Sequence, residues 1–314
     1  VAAAAGGERM TIISRHRVVV VFAIGLALAS CSRKAETPAS PAFATPEAAV
    51  DALGKAVASR NAADVLALFG TDGKELVDTA DTDAAKQNRG VFMAAMAEQW
   101  HLVDEQNHKV LVIGHEDWPF PVPLVKNADG WRFDTEAGKD EIISRRIGRN
   151  ELAAIRSSMA YVIAQRKYAA AGRDGQPAGV YAATFRSDSG RHNGLYWPSE
   201  RGMRSPLGEV LEEAEQRGAD GNRAPAPFHG YFFRILTAQG AAAPGGARNY
   251  VNGGRMTGGF ALVAWPAQYD STGIMTFIVN QDGSVRQKDL GPDTASVVAR
   301  ITEYNPDDSW TAAQ

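Results

Sequence analysis

Apolar side chains recur at three- and four-residue steps through residues 149–170, at Leu152, Ile155, Met159, Val162 and Ile163. That spacing puts them on one face of a helix and predicts that the face is buried. Asn150 is placed to cap the helix and Glu151 to sit in its first turn, where a carboxylate complements the dipole. Gly172, Asp174 and Gly175 supply the turn that ends it. Farther on, residues 231–236, 260–265 and 274–279 are strand-like runs, and Asn280-Gln281-Asp282-Gly283 is a hairpin signal joining the third run to 284–288. A helix laid across a small antiparallel sheet buries these apolar faces together. Ser205-Pro206 starts a helix with Leu207, Val210, Leu211 and Ala214 inward and Gly218 at its end. Asp293 starts a last one, with Val297, Val298 and Ile301 inward and Asn305-Pro306 as its stop.

The pattern upstream is different: three helices, then short strands. Thr45-Pro46-Glu47 is a helix start, with Val50, Leu53 and Val57 as the buried face. Asn61 caps a second helix carrying Val65, Leu66 and Phe69 and stopped by Gly70; Asp81 or Thr82 caps a third running toward Met96. Strands at 100–103 and 109–113 flank a turn near Gln106, which brings Val103 near Lys109, and 119–125 pairs with 131–134 across Asn127-Ala128-Asp129-Gly130. Pro119, Pro121 and Pro123 alternate, so their missing donors fall on one side of that strand and predict that it is the edge of its sheet. Residues 135–147 form a short helix ended by Gly148, with Arg145, Arg146 and Arg149 near its carboxyl end. Dipole placement accounts for those arginines, and a phospholipid head-group site is the alternative. The fold class is therefore α+β in two modules, 45–135 and 150–314, joined by a linker helix at 136–149.

At the amino terminus Arg15, His16 and Arg17 precede an apolar run from Val18 to Leu28 and the small residues Ala29 and Ser30, the order of a secretory signal in residues 1–30. The run is short for a membrane span. Met10 is the expected start, since Val1 to Glu8 lie ahead of the charged segment. Residues 31–44, with Pro38 and Pro41, read as a solvated tether. The chain's 314 residues are 45% hydrophobic and 22% charged, which suits a globular protein of two cores. With a net charge of -3 there is no global cationic excess to neutralise a phosphate backbone, so nucleic acid is not an expected partner. The single cysteine, Cys31, excludes an intramolecular disulfide.

Several stretches resemble known families. Leu28-Ala29-Ser30-Cys31 resembles the bacterial lipoprotein box, which implies acylation of the Cys31 thiol after cleavage just before it. The resemblance implies an anchored, periplasm-facing chain, and Ser32 lacks the acidic signal associated with inner-membrane retention, which favours the outer membrane. Helices followed by a curved antiparallel sheet ending in Gly130-Trp131-Arg132-Phe133-Asp134 resemble the nuclear-transport-factor-2-like cone. Such cones often hold a pocket. The segment from Asn150 with its ending Ala164, Gln165, Tyr168 and Ala169, and the later Asp282-Gly283 hairpin, is similar to the soluble half of a type IV pilin or pseudopilin. A pilin begins with an apolar helix continuous with this one, where this chain has a tether and a whole module. The full order, from TPEAAVDAL through DWPFPVPLVKNADGWRFDTEAGKDEI and RRIGRNELAAI to HGYFFRILTAQG and QKDLGPDTA, resembles an uncharacterised bacterial envelope group, domain-of-unknown-function family 2950. That resemblance implies no activity.

Catalytic signatures are missing: there is no Gly-rich phosphate loop, GxSxG elbow, HExxH or EF-hand loop. His101, His108 and His115 are spaced by seven, but on two strands they do not converge, so no metal and no cofactor is expected. The reading is a non-enzymatic anchored protein with a binding or assembly role, partnered by the membrane through its lipid and by another envelope protein. The alternative is a small-molecule-binding protein or enzyme with a first-module pocket lined by Trp100, His101, His115, Trp118 and Trp131. His192 and His229 with an acid such as Asp188 would make acid–base work conceivable. The binding candidates are His192, Tyr196, Trp197 and His229, expected in or beside loops at one end of the second sheet. There they either form a shared patch or, through Trp197-Pro198, plug the core.

Overall fold

The computed structural model describes residues 40–70, 73, 82–198, 204–208 and 227–313. The signal segment, Cys31 and most of the tether lie outside these residues, as does nearly all of the helix expected from Ser205 onward. What is described combines helices with antiparallel sheets, the α+β class expected.

Helices α1 (Pro46–Ala58), α2 (Ala62–Phe69) and α3 (Thr82–Glu98) precede strands β1 (Trp100–Glu105), β2 (His108–Ile113), β3 (Trp118–Pro119), β4 (Leu124–Asn127) and β5 (Gly130–Phe133). The caps are those the sequence chemistry demands. Thr45 Oγ1 accepts from the Ala48 N–H at 3.2 Å with Pro46 in the first turn, and Asn61 Oδ1 accepts from Ala63 N–H at 3.1 Å. Ala49, Val50, Leu53, Leu68, Phe69, Leu111, Ile113, Val122, Leu124 and Phe133 form the core between these helices and their sheet.

The β1–β2 turn falls where expected, at Gln106 with φ 32 and Asn107, and sets Val103 opposite Val110 and diagonal to Lys109. The proline-rich run is not one edge strand but two pieces: β3, with Pro119, pairs only with β2 and is an edge, whereas β4, which holds no proline, lies between β2 and β5. The missing donors act by interrupting the strand instead. Phe120, between two prolines, still donates to Leu111 O at 2.7 Å, pairing stops, and β4 resumes at Leu124, past the last proline. The exposed edge at β5 is covered by Phe43, the end of the expected tether, which exchanges two 2.8 Å backbone hydrogen bonds with Trp131. Gly130 permits that approach, since a Cβ there would stand 2.4 Å from Phe43 O.

Helix α4 runs without a break from Thr135 to Ala170. Asp134 caps it, accepting from Ala137 N–H at 3.1 Å, and Gly138 lies so close to the first sheet that a Cβ would meet Val122 at 2.7 Å. Neither the stop at Gly148 nor the cap at Asn150 exists. Both residues are inside the helix, and the Asn150 and Glu151 side chains serve tertiary contacts: Asn150 Nδ2 donates to Thr272 O at 2.8 Å, and Glu151 Oε1 accepts from the Ile274 and Met275 N–H groups, both at 2.9 Å.

Beneath the second half of α4 lie β6 (Tyr231–Leu236), β7 (Ala238–Gln239), β8 (Arg248–Asn249), β9 (Val251–Asn252), β10 (Arg255–Met256), β11 (Ala261–Pro266), β12 (Met275–Asn280) and β13 (Arg286–Asp289), then α5 (Thr294–Ala299) and β14 (Thr311–Ala312). The main sheet has the order β14-β13-β12-β11-β6, with β7–β8 and β9–β10 as separate small pairs. The β12–β13 hairpin turns at Gly283, φ 87, as its Asn280-Gln281-Asp282-Gly283 signal implies. Only part of the expected α4 face meets this sheet: Val162 is buried and Ile155 is half-buried against Ala154 and Phe277, but the remaining three residues point away. Ala153, Ala154, Ser158, Tyr161, Val162, Ala164, Gln165, Tyr168 and Ala169 are buried, whereas Leu152, Met159 and Ile163 are 51%, 50% and 51% exposed. Small residues let the helix approach the sheet closely, and Tyr161 and Gln165 satisfy polar groups beneath it. The Tyr161 hydroxyl donates to Ala261 O at 3.1 Å, while Gln165 donates to Ala182 O at 2.7 Å and accepts from Ala182 N–H at 2.9 Å.

Gly148 is helical and exposed, and a Cβ there would have no neighbour within 4 Å. Gly148→Ala should therefore stabilise the protein by about 0.5–1 kcal/mol in denaturant melts. A loss of stability would mean that the helix is broken there. Burial raises the hydroxyl pKa of Tyr161 and of Tyr231 far above the ordinary 10.0, and pushes Tyr250 up to about 12 against the lowering effect of Arg248. These tyrosines stay protonated in the folded chain while the unfolded ones ionise. Their contribution is therefore intact below pH 10.0 and lost progressively above it. Melts across that range, with phenolate absorbance as the parallel readout, check the sign.

Candidate functional site

Past the end of α4 the chain loops back over the second core. Arg173 holds its guanidinium over the rings of Tyr168 and Trp197, at 5.6 and 5.0 Å, and the ring of His192 packs on Trp197 at 4.6 Å. Asp174, with φ 47, turns the chain and accepts from the His192 N–H at 2.6 Å. Tyr196 lies under the Arg186 guanidinium at 5.4 Å and pairs its backbone with Phe185 and Ser187. So His192, Tyr196 and Trp197 do share one region. His229 does not join them: it occupies a tight turn with φ 47, against Phe228, and the adjoining Gly230 abuts Asn150. Asn150 and Tyr168 are on the same helix, roughly 27 Å apart at 1.5 Å per residue. Nor does Asp188 meet His192; it accepts from Asn193 Nδ2 at 2.7 Å and lies 4.0 Å from Arg191. No acid–base constellation is assembled from these residues.

Tyr196 and Trp197 are 4% and 3% exposed, and Trp197 is part of the large core beneath α4. Among the described residues the buried Trp197 Nε1, Arg173 Nε, Gln176 Oε1 and Ser205 Oγ have no hydrogen-bond partner. Trp197 Nε1 and Arg173 Nε are donors, and the half-buried His192 ring packs on Trp197 beside them.

In the first sheet, Trp100 and Trp131 pack against the core, Lys109 standing 5.7 Å over the Trp131 ring. His101, His115 and Trp118 are exposed, and Arg145 lies over Trp118 at 5.5 Å. Trp100 and Trp118 flank Ile113 from the two neighbouring strands, whereas Trp131 lies on β5. His108 faces Glu105 at 3.3 Å, across the turn from His101, and among the described residues no three His, Cys, Asp or Glu side chains gather as metal ligands.

The second notable surface is one that the hydrophobic pattern predicted to be core. Leu152, Met159 and Ile163 are half of the large apolar side chains that the described residues leave exposed, the others being Val91, Val103 and Trp118. They lie in one row on α4. Exposed Arg149, Arg156, Arg166 and Lys167 flank the row. The sequence did carry a signal for this. Ala153, Ala154, Ala164 and Ala169 form the complementary face of the same helix, and small residues there are what close packing on a sheet requires.

A protein family described as protein of unknown function (DUF2950) matches residues 40–313. The chain belongs to this family. No curated protein and no solved structure matches it. DUF2950 membership thus covers both sheets and α4 together and leaves the chemistry to be read from the side chains. For this DUF2950 chain, the burial of Trp197 predicts that Trp197→Ala costs about 3–5 kcal/mol in denaturant melts, as for other large-to-small core changes. Trp197→Ala with an unchanged melt would show that the indole is surface rather than plug.

Proposed function

We propose that this DUF2950 protein is a lipid-anchored, periplasm-facing envelope protein whose role is binding or assembly, with the outer membrane as its favoured location. The observation that carries the binding reading is the row of half-exposed Leu152, Met159 and Ile163 on α4. Half-exposed apolar side chains aligned along one face of a stable helix mark an interaction surface, because water solvates them poorly. Anchoring is supported by the Leu28-Ala29-Ser30-Cys31 box behind an apolar signal segment and by Cys31 being the only thiol. Ser40, the first described residue, follows Cys31 by nine positions. An extended chain of that length reaches roughly 30 Å, so an acyl chain on Cys31 would keep the body beside the bilayer.

Cys31→Ser tests the anchor. The expected result is loss of labelled palmitate from the protein and its release from salt-washed membranes into the soluble periplasmic fraction. Retained label, or retention in membranes after the salt wash, would sink the assignment.

A further inference from the structure

We propose that the outward face of α4 is a docking surface for the anionic surface of a lipid bilayer. The proposal deepens the binding reading above by naming the partner class. It draws on the anchored location only for access to the membrane.

The geometry comes from the continuity of the helix. At about 100° per residue, Arg145, Arg149, Leu152, Arg156, Met159, Ile163, Lys167 and Ala170 all fall within about 60° of one line. Buried Ala154, Tyr161 and Gln165 fall on the opposite side. From Gly148 to Ala170 that line is roughly 33 Å long at 1.5 Å per residue. A helix broken at Gly148 would have divided it.

The charge on this face is one-sided. Arg149, Arg156, Arg166 and Lys167 are exposed on or beside it, with Arg166 donating to Gln281 O at 2.7 Å, and between Ile142 and Ala170 the only acid is Glu151. Glu151 is turned inward and occupied by two strand N–H groups. Glu141, one turn before Arg145, is neutralised by it at 2.7 Å. The whole chain carries a net charge of -3, so the cationic face stands out against an acidic background. Alternating cations and aliphatic side chains in one row match the two layers of a bilayer surface. The guanidinium groups meet anionic head groups while Leu152, Met159 and Ile163 enter the acyl boundary. Trp118, 45% exposed beside Arg145, extends the face at its amino-terminal end with a side chain suited to that boundary. Among the described residues no helix is long and apolar enough to cross a membrane, and α4 would lie along the surface. A protein groove would call for acids as well as apolar contacts, and a second copy would bring these cations against their own kind.

The test uses the mature chain from position 31 with Cys31→Ser, so that no acyl group contributes, and vesicles of equal parts phosphatidylcholine and phosphatidylglycerol against phosphatidylcholine alone. Cosedimentation with the mixed vesicles, weakened as salt rises and absent with phosphatidylcholine, is expected. Joint Arg149→Glu and Arg156→Glu should reduce it about tenfold or more, and joint Leu152→Ser, Met159→Ser and Ile163→Ser should abolish it. All five positions are exposed, and cooperative melts well above the assay temperature confirm that the variants fold. Undiminished binding by the charge-reversed variant overturns the proposal. So does a chain that ignores the vesicles, whether it stays monomeric or associates through the same residues into dimers in analytical ultracentrifugation. Because the assay omits the acyl group, its failure leaves the anchor at Cys31 untouched, and loss of the anchor leaves this result standing.

Discussion

The register between α4 and β12 is the constraint on which the second sheet depends. Glu151 holds the start of that strand through the Ile274 and Met275 N–H groups, and Arg166 holds its end through Gln281 O. Fifteen helical residues span roughly 22 Å and six extended ones roughly 20 Å. The two elements are therefore commensurate only when they run side by side in the same direction. The anchors are charge-assisted, with a carboxylate accepting two backbone donors at one end and a guanidinium donating to a carbonyl at the other. With β12 so placed, β11 and β13 follow by antiparallel pairing, and β6 and β14 by pairing to those.

The same helix couples this register to the first sheet. Its cap at Asp134 follows directly from β5, Gly138 packs on Val122, and Arg145 reaches Pro119 O at 2.8 Å. The inward face changes character along its length. The first turns meet Val122 through Gly138, the middle ones use Asn150 and Glu151, and the last use Tyr161 and Gln165 with Ala164 between them. Residues Pro38–Gln314 accordingly form one compact unit even though the apolar side chains beneath the two sheets make separate clusters.

Much of this was legible because it is local. Thr45, Asn61, Gly70 and the Asp282-Gly283 turn each act on neighbours a few residues away, and strand β6 follows from its own β-branched and aromatic run. What was misread is non-local. Gly148 and Asn150 carry helix-end chemistry, but end signals give way when tertiary partners repay a continuous helix, here Thr272, Ile274 and Met275, more than 120 positions away in sequence. Periodicity selected the face with the largest apolar residues. The sheet selected a face of alanines set between Tyr161, Val162 and Tyr168, since β11 and β12 are themselves nearly all buried and already fill the interlayer space with Leu262, Phe277 and Val279. The loop candidates illustrate the same limit. Trp197 and His192 are close in sequence and meet, while His229 is on a different stretch of chain and its place is decided by where α4 begins to cover the sheet.

That division of labour within α4 explains how a surface can be apolar without endangering the fold. Stability comes from the inward side, where Tyr161, Gln165 and Glu151 each satisfy backbone groups that would otherwise be buried unpaired. The outward Leu152, Met159 and Ile163 contribute helix propensity and only part of the burial they could, because half of each side chain is in water. Packing therefore explains only half of their aliphatic character. A helix held this firmly from beneath is also a suitable platform for weak, repeated contacts. The side chains that make them start from an ordered backbone, so association orders only rotamers and not the chain itself.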